Sequence, residues 1–288
     1  MNIKIGDIVT RPSYDRDLLF RVIAVNEGEE QYATLIGEDI RLIADAPLSD
    51  LEVVDVQEQQ RRKEQEEQLL ERSLKLLRQD YDLIREKAEY GMTNGYNHSH
   101  RLFQMPGKVL HVDGDPNYLQ KCLAVYEKIG VPVYGVHCTE AEMPNKIGAL
   151  LEEVRPDILV LTGHDAYSKS KGNKNDLLAY RHSKYYVKTV YEARRKIANL
   201  DQLVIFAGAC QSHFEQLIQA GANFASSPSR VNIHALDPVY VVAKLSFTPF
   251  NDRINVWDVL RNTLTGAKGL GGIETRGLLR TGMPYEAE

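Results

Sequence analysis

One cysteine and one histidine stand where nucleophilic chemistry is easily built. Cys210 ends the apolar run QLVIFAGAC, residues 202–210, and the helical pattern QSHFEQLIQAG follows it. A thiol at the start of a helix feels the positive end of the helix dipole and unpaired backbone N–H groups. Both favour thiolate, the nucleophilic form. His164 closes a second apolar run, in LVLTGHDAYS. An imidazole there can take the thiol proton or protonate a leaving amine. The plainer readings are a cysteine packed as a small buried hydrophobe and a histidine that is only a hydrogen-bonded core or surface residue.

The two positions lie 46 residues apart, histidine first. Caspase-type cysteine peptidases place an Ala-Cys dipeptide about 50 residues after their histidine. Ala209-Cys210-Gln211 and Thr162-Gly163-His164 fit that order, but Asp165 stands where those enzymes carry glycine. Backbone N–H groups after His164 and around Cys210, at Asp165 and Gln211, are candidates for an oxyanion hole. Asp165 is also a candidate to orient His164, although adjacent side chains usually point apart. His213, three residues beyond Cys210, is an alternative base; Asp176 and Asp237 are vaguer candidates. The polar stretch SSPSRVNIHALDP follows a strand and suits a substrate-binding loop, with Ser227, Ser229, Arg230, Asn232 and His234 as contacts.

Other chemistries fit less well. HVDGDP, with Asp113 and Asp115, resembles the Asp-x-Asp loop of haloacid-dehalogenase-type phosphatases, but Pro116-Asn117 replaces the usual Gly-Thr. A turn and helix cap is the better reading. His137, Cys138, His164, Cys210 and His213 are zinc-type ligands without convincing spacing, so no metal is expected. No P-loop, G-x-S-x-G elbow or G-x-G-x-x-G is present, and no cofactor is called for.

These residues need a scaffold, and three zones supply it. Residues 1–56 alternate short β-rich runs with turns, which predicts a small β-barrel-like or SH3-like module. Residues 57–104 form a charged helix and then a linker from Gly91. Leu70, Leu74, Leu77, Tyr81, Ile84 and Ala88 make an apolar stripe on the helix. It either packs on its own protein or forms a homodimer through 70–88. Residues 105–288 alternate apolar strands and helices, with a long helical stretch from about 176 to 197. That pattern predicts an α/β domain, a parallel sheet with helices on both faces, caspase-like or flavodoxin-like. Its working residues belong just past the carboxyl ends of the strands.

A formal net charge of −5 argues against a protein dominated by nucleic-acid binding. No apolar run approaches the roughly 20 residues of a membrane span, and the first residues lack a signal-peptide core. A cytoplasmic protein is expected. Cys122, Cys138 and Cys210 are too few for a disulfide framework.

The runs MPGKVLHVDGD, RPDILVLTGHDAYSK, LDQLVIFAGACQSHFE, GANFASSPSRVNIHALDPVY and GLGGIETRG, together with the N-terminal IGDIVTR, resemble the YabG family over nearly the whole chain. The resemblance implies a sporulation-specific cysteine peptidase made in the mother cell. It further implies association with the forming coat and processing of spore-coat and other spore-surface proteins. The family's proposed cysteine and histidine fall on Cys210 and His164. The rivals are a non-enzymatic coat assembly protein, with Cys210 as core, and a metal-dependent hydrolase. Cleavage specificity, autoprocessing, oligomeric state and the residue that orients His164 are not legible in the sequence.

Overall fold

The computed structural model describes residues 3–26, 31–93 and 103–282. Strands β1 (Ile8–Thr10), β2 (Phe20–Asn26), β3 (Tyr32–Gly37), β4 (Ile43–Pro47) and β5 (Glu52–Val53) form an antiparallel sheet in the order β4-β3-β2-β1-β5. Period-two alternation turns Val9, Phe20, Val22, Ala33 and Leu35 to one buried face. Helix α1 (Val56–Thr93) follows. Leu74 and Leu77 are buried, Leu70 and Tyr81 pack on the same core, and the Tyr81 ring lies 4.3 Å from Phe247. The stripe seen in the sequence therefore packs against the helix's own protein. Ala88 lies outside the residues whose side chains are described. The expected linker from Gly91 is corrected at both ends. The helix continues to Thr93, and β6 (Phe103–Met105) is already a strand; residues 94–102 lie outside the described part.

Five strands then run parallel: β7 (Val109–Asp113), β8 (Val133–His137), β9 (Ile158–Thr162), β10 (Val204–Ala207) and β11 (Phe224–Ser226). The segment after them holds β12 (Arg253–Ile254), β13 (Leu270–Gly272), β14 (Thr275–Arg276) and β15 (Arg280–Gly282). Strand β13 adds antiparallel to β11, giving the order β13-β11-β10-β9-β7-β8. The pairs β12–β14 and β6–β15 stand apart from this sheet. The connecting helices are α2 (Pro116–Ile129), α3 (Met143–Val154), α4 (Ser183–Lys196), α5 (Phe214–Gln219), α6 (Asp237–Phe247) and α7 (Val256–Leu260). Alternate strand residues serve opposite cores. Val109, Val160, Val204 and Phe206 pack with Cys122 of α2, Val242 of α6 and the N-terminal sheet. Leu110, Leu159, Leu161 and Ile205 pack with Ile147 of α3 and Tyr186 and Val190 of α4.

The long helix expected from 176 to 197 is broken. Asp176 caps a short 3-10 turn at Leu177–Ala179, and α4 begins only at Ser183. Between them Tyr180 bridges to Tyr167, and the His182 N–H donates to Asp165 Oδ1 (2.8 Å). Those tertiary bonds outcompete helix propensity.

The N-terminal sheet is fastened to the parallel one by Arg41, whose side chain is fully buried. Its Nη1 donates to Asp113 Oδ1 (3.0 Å) and lies 2.9 Å from Oδ2, its Nε donates to the Ala235 carbonyl (3.1 Å) and its Nη2 to Cys122 Sγ (3.4 Å). Isolated bridges join Ile40 to His234 and Leu42 to Asp165.

Candidate active site

The carboxyl ends of four adjacent strands carry the chemistry. In spatial order β10, β9, β7 and β8 lead into Cys210, His164, Asp115 and Glu140. Counted along the chain, the parallel strands lie in the order 2-1-3-4-5, so the order reverses between β7 and β9. Crevices at such switch points are where open α/β sheets bind ligands. Asp115 and His164 flank this one.

His164 is buried, and both ring nitrogens face carboxylates. Nε2 lies 3.3 Å from Asp115 Oδ2, and Nδ1 lies 3.7 Å from Glu140 Oε1. Burial opposes the charged imidazole, yet the two acids outweigh it and raise the pKa. Glu140 and Asp115 are held below the usual carboxylate range; burial pushes them up, but the His164 contacts prevail, joined by His182 for Glu140 and the α2 amides for Asp115. The other Asp115 oxygen caps α2, accepting the N–H groups of Asn117 (2.7 Å) and Tyr118 (3.0 Å). The cap reading of this aspartate is thus what the structure shows, with the histidine contact added.

Cys210 is fully buried, and no hydrogen bond joins it to His164 among the described residues. Its Sγ donates to the Ile233 carbonyl (3.6 Å) and accepts the Ile233 N–H (3.3 Å). Burial raises the thiol pKa, with the Ile233 amide opposing, so the group rests as a thiol. The expectation of a helix start at Cys210 is corrected. Gln211 takes a left-handed φ of 56°, and α5 begins at Phe214 after His213. The dipole therefore does not act on the sulfur within the first turn. The Tyr118 ring lies 5.6 Å from that of His164.

The remaining sequence candidates scatter. Asp165 points away from His164; it accepts the Ala166 and His182 amides and the Ser183 and Ser212 hydroxyls. The Gln211 N–H is taken by the Val231 carbonyl (3.1 Å), and its side chain donates to Asn232 Oδ1 (3.1 Å). Gln211 and Asn232 line a cleft of about 540 Å³ beside β4, together with Leu42, Asp45, Tyr167 and Arg181. Ser227 bonds the Val231 carbonyl, the Ser229 N–H donates to Lys268 O (3.4 Å), and Arg230 is tied to Tyr180 and Glu215. His234 faces a different cleft of about 590 Å³, where its Nε2 meets Glu66. The loop is thus divided between separate surroundings. His213 contacts Glu215 (3.2 Å) and stacks on Tyr180.

The zinc alternative does not assemble. Among the described residues, the ligand-type group that comes together is His111, Asp113 and Cys122, none of which belonged to the zinc reading. The Arg41 guanidinium already occupies it, and burial pushes Cys122 up to about 12 despite that cation. A buried cation in the ligand set disfavours a second one.

Glu140, Arg41 and Tyr118 were missed by sequence reasoning. Glu140 sits in HCTEAEM between a strand and a helix, where only the rule that strand-end loops are functional could have singled it out.

A sequence profile for YabG peptidase U57 matches residues 4–284. The chain belongs to this family. It is 64% identical, over the full length of both chains, to the sporulation-specific protease YabG of Bacillus subtilis (strain 168). Membership in the YabG family makes the chain a peptidase with a role in sporulation. Among the described residues no helix is long and apolar enough to cross a membrane.

Proposed function

We propose that the chain is a cysteine endopeptidase that processes spore-coat and other spore-surface proteins, made in the mother-cell cytoplasm and acting on the forming coat. The observation that carries the catalytic reading is the placement of Cys210 and His164 just past the ends of adjacent strands, beside the switch point of the sheet. The 2-1-3-4-5 order supports a flavodoxin-like relative of the caspase arrangement. In this reading His164 takes the Cys210 thiol proton as Sγ attacks the scissile carbonyl, and delivers it to the amine as the C–N bond breaks. Water then attacks the thioester, His164 accepts its proton, the C–S bond breaks, and His164 returns the proton to the departing sulfur. The backbone N–H groups at Asp165 and Gln211 remain the proposed oxyanion donors. Because Ile233 covers the sulfur and Val231 holds the Gln211 N–H, the 227–236 segment must shift as substrate enters. Ser227, Ser229, Arg230, Asn232 and His234 would meet the substrate through that movement, and the cleft beside β4 would receive it. A homodimer through α1 would have to use Leu69, Leu76 and Leu83, which stay exposed.

A second reading is favoured by one observation: both His164 nitrogens face carboxylates and neither faces sulfur. His164 and its acids would then activate water, and Cys210 would be core. Coat-protein cleavage by wild type, Cys210→Ala and His164→Ala, with folding checked by circular dichroism, separates the two. Loss of activity in both variants, with thioester trapping at Cys210, supports the cysteine mechanism. A Cys210→Ala variant that cleaves normally ends it and leaves the water mechanism.

A further inference from the structure

We infer that Glu140 is the positioning residue for His164, holding the ring through its Nδ1 edge so that Nε2 is the nitrogen that moves protons. The inference rests on His164 being the acid/base of the reaction.

The carboxylate grips His164 at two points. Oε1 accepts the His164 backbone N–H (2.8 Å) and faces ring Nδ1 (3.7 Å). It also lies 3.5 Å from His182 Nδ1, which donates to the His164 carbonyl (2.8 Å). The Tyr186 hydroxyl donates to the same carbonyl (3.2 Å). The backbone and ring of His164 are therefore located together by one acid and the first residues of α4. A carboxylate that fixes one imidazole nitrogen sets the tautomer and stabilises the imidazolium formed at the other.

Space for this acid is built into the two neighbouring strand ends. A Cβ on Gly114, after β7, or on Gly163, after β9, would collide with the Glu140 carboxylate. Both positions lack a side chain where Glu140 passes. On the opposite edge Nε2 meets Asp115, whose first duty is the α2 cap. The thiol must take that place at Nε2 during attack, so Asp115 holds the nitrogen only in the resting enzyme. The groups facing His164 are Asp115 and Tyr118 from α2, Glu140 from the β8–α3 loop, and His182 and Tyr186 from the start of α4.

The test uses the full chain with Glu140→Gln, which keeps an oxygen for the His164 N–H and removes the charge. Gly114→Ala displaces the carboxylate without changing any charge and serves if the first variant does not fold. Each folded variant should lower kcat about 10²-fold, the lower end of what general acid–base catalysis contributes, with KM within two-fold. The acid limb of the kcat/KM profile should move to lower pH. Imidazole NMR of histidine-labelled protein should show His164 titrating lower in the variant. A folded Glu140→Gln or Gly114→Ala protein with unchanged kcat and unchanged His164 titration overturns the assignment. If His164→Ala is fully active, the underlying reading fails instead, and the NMR titration still reports whether Glu140 holds the ring.

Discussion

At the scale of single residues, Arg41 and His164 make opposite electrostatic bargains. Arg41 is a fully buried cation whose stability depends on Asp113. Removing one member of a buried pair strands the other. Arg41→Met should therefore destabilise the fold by about 3–5 kcal/mol, read from the denaturant midpoint. Adding Asp113→Asn should recover part of that loss; strict additivity of the two losses would mean the pair is not coupled. His164 is a matter of pH. Its pKa is raised in the folded protein, because two acids overcome its burial. The folded state thus binds the proton more tightly than the unfolded chain, whose imidazole titrates near about 6.5. This contribution is complete below that pH and is lost as pH climbs through the raised value. His164→Ala should flatten the fall in denaturant midpoint above about pH 6.5; an unaltered slope would show that another group titrates there. Cys210 and His164 could be picked out in the sequence because each follows an apolar run that can only be a buried strand. Glu140 was not, since its position at a strand end is all that marks it and its role depends on β8 lying beside β7, which local periodicity does not record.

At the scale of elements, α1 shows what periodicity can and cannot decide. The spacing of Leu70, Leu74, Leu77 and Tyr81 identified the buried face, and the partner proved to be α6 and the rest of its own core. Leu77 is 5% exposed and its neighbour Leu76 is 51% exposed. Leu77→Ala should cost about 2–5 kcal/mol through lost burial and a cavity, whereas Leu76→Ala should change stability by under about 0.5 kcal/mol. Equal losses from both would mean that Leu76 is covered in solution, and sedimentation would then reveal the α1 dimer. Helix starts were harder to read than helix faces. The α4 and α5 starts, at Ser183 and Phe214, are set by Asp165. It accepts the His182 amide and the Ser183 and Ser212 hydroxyls, and Ser183 Oγ accepts the His213 N–H. That polar knot overrides apolar patterns that would let both helices begin earlier.

At the scale of the whole molecule, the question is whether the α/β part works without what precedes it. Composition divides the chain at about residue 105, which alone would make the earlier part a separable attachment. The bonds argue for a tighter dependence. Arg41 neutralises Asp113 at the end of β7, the Tyr118 hydroxyl donates to the Ile40 carbonyl (2.7 Å), and Leu42 bridges to Asp165. Tyr118 packs against the His164 ring, and Asp113 accepts the N–H of Asp115, the residue that faces Nε2. A fragment starting at residue 105 would expose the apolar faces of Leu74 and Leu77's partners and leave Asp113 buried without its cation. It should melt well below the full chain, bind a dye for exposed apolar surface, and cleave coat protein at least about ten-fold more slowly, a loss of roughly 1.4 kcal/mol in transition-state stabilisation. Residues 1–104 supplied in trans should restore part of both properties. A fragment that melts and cleaves like the full chain would show that the N-terminal sheet and α1 are a separable attachment. The Arg41 contact would then be a fastening with no bearing on the site.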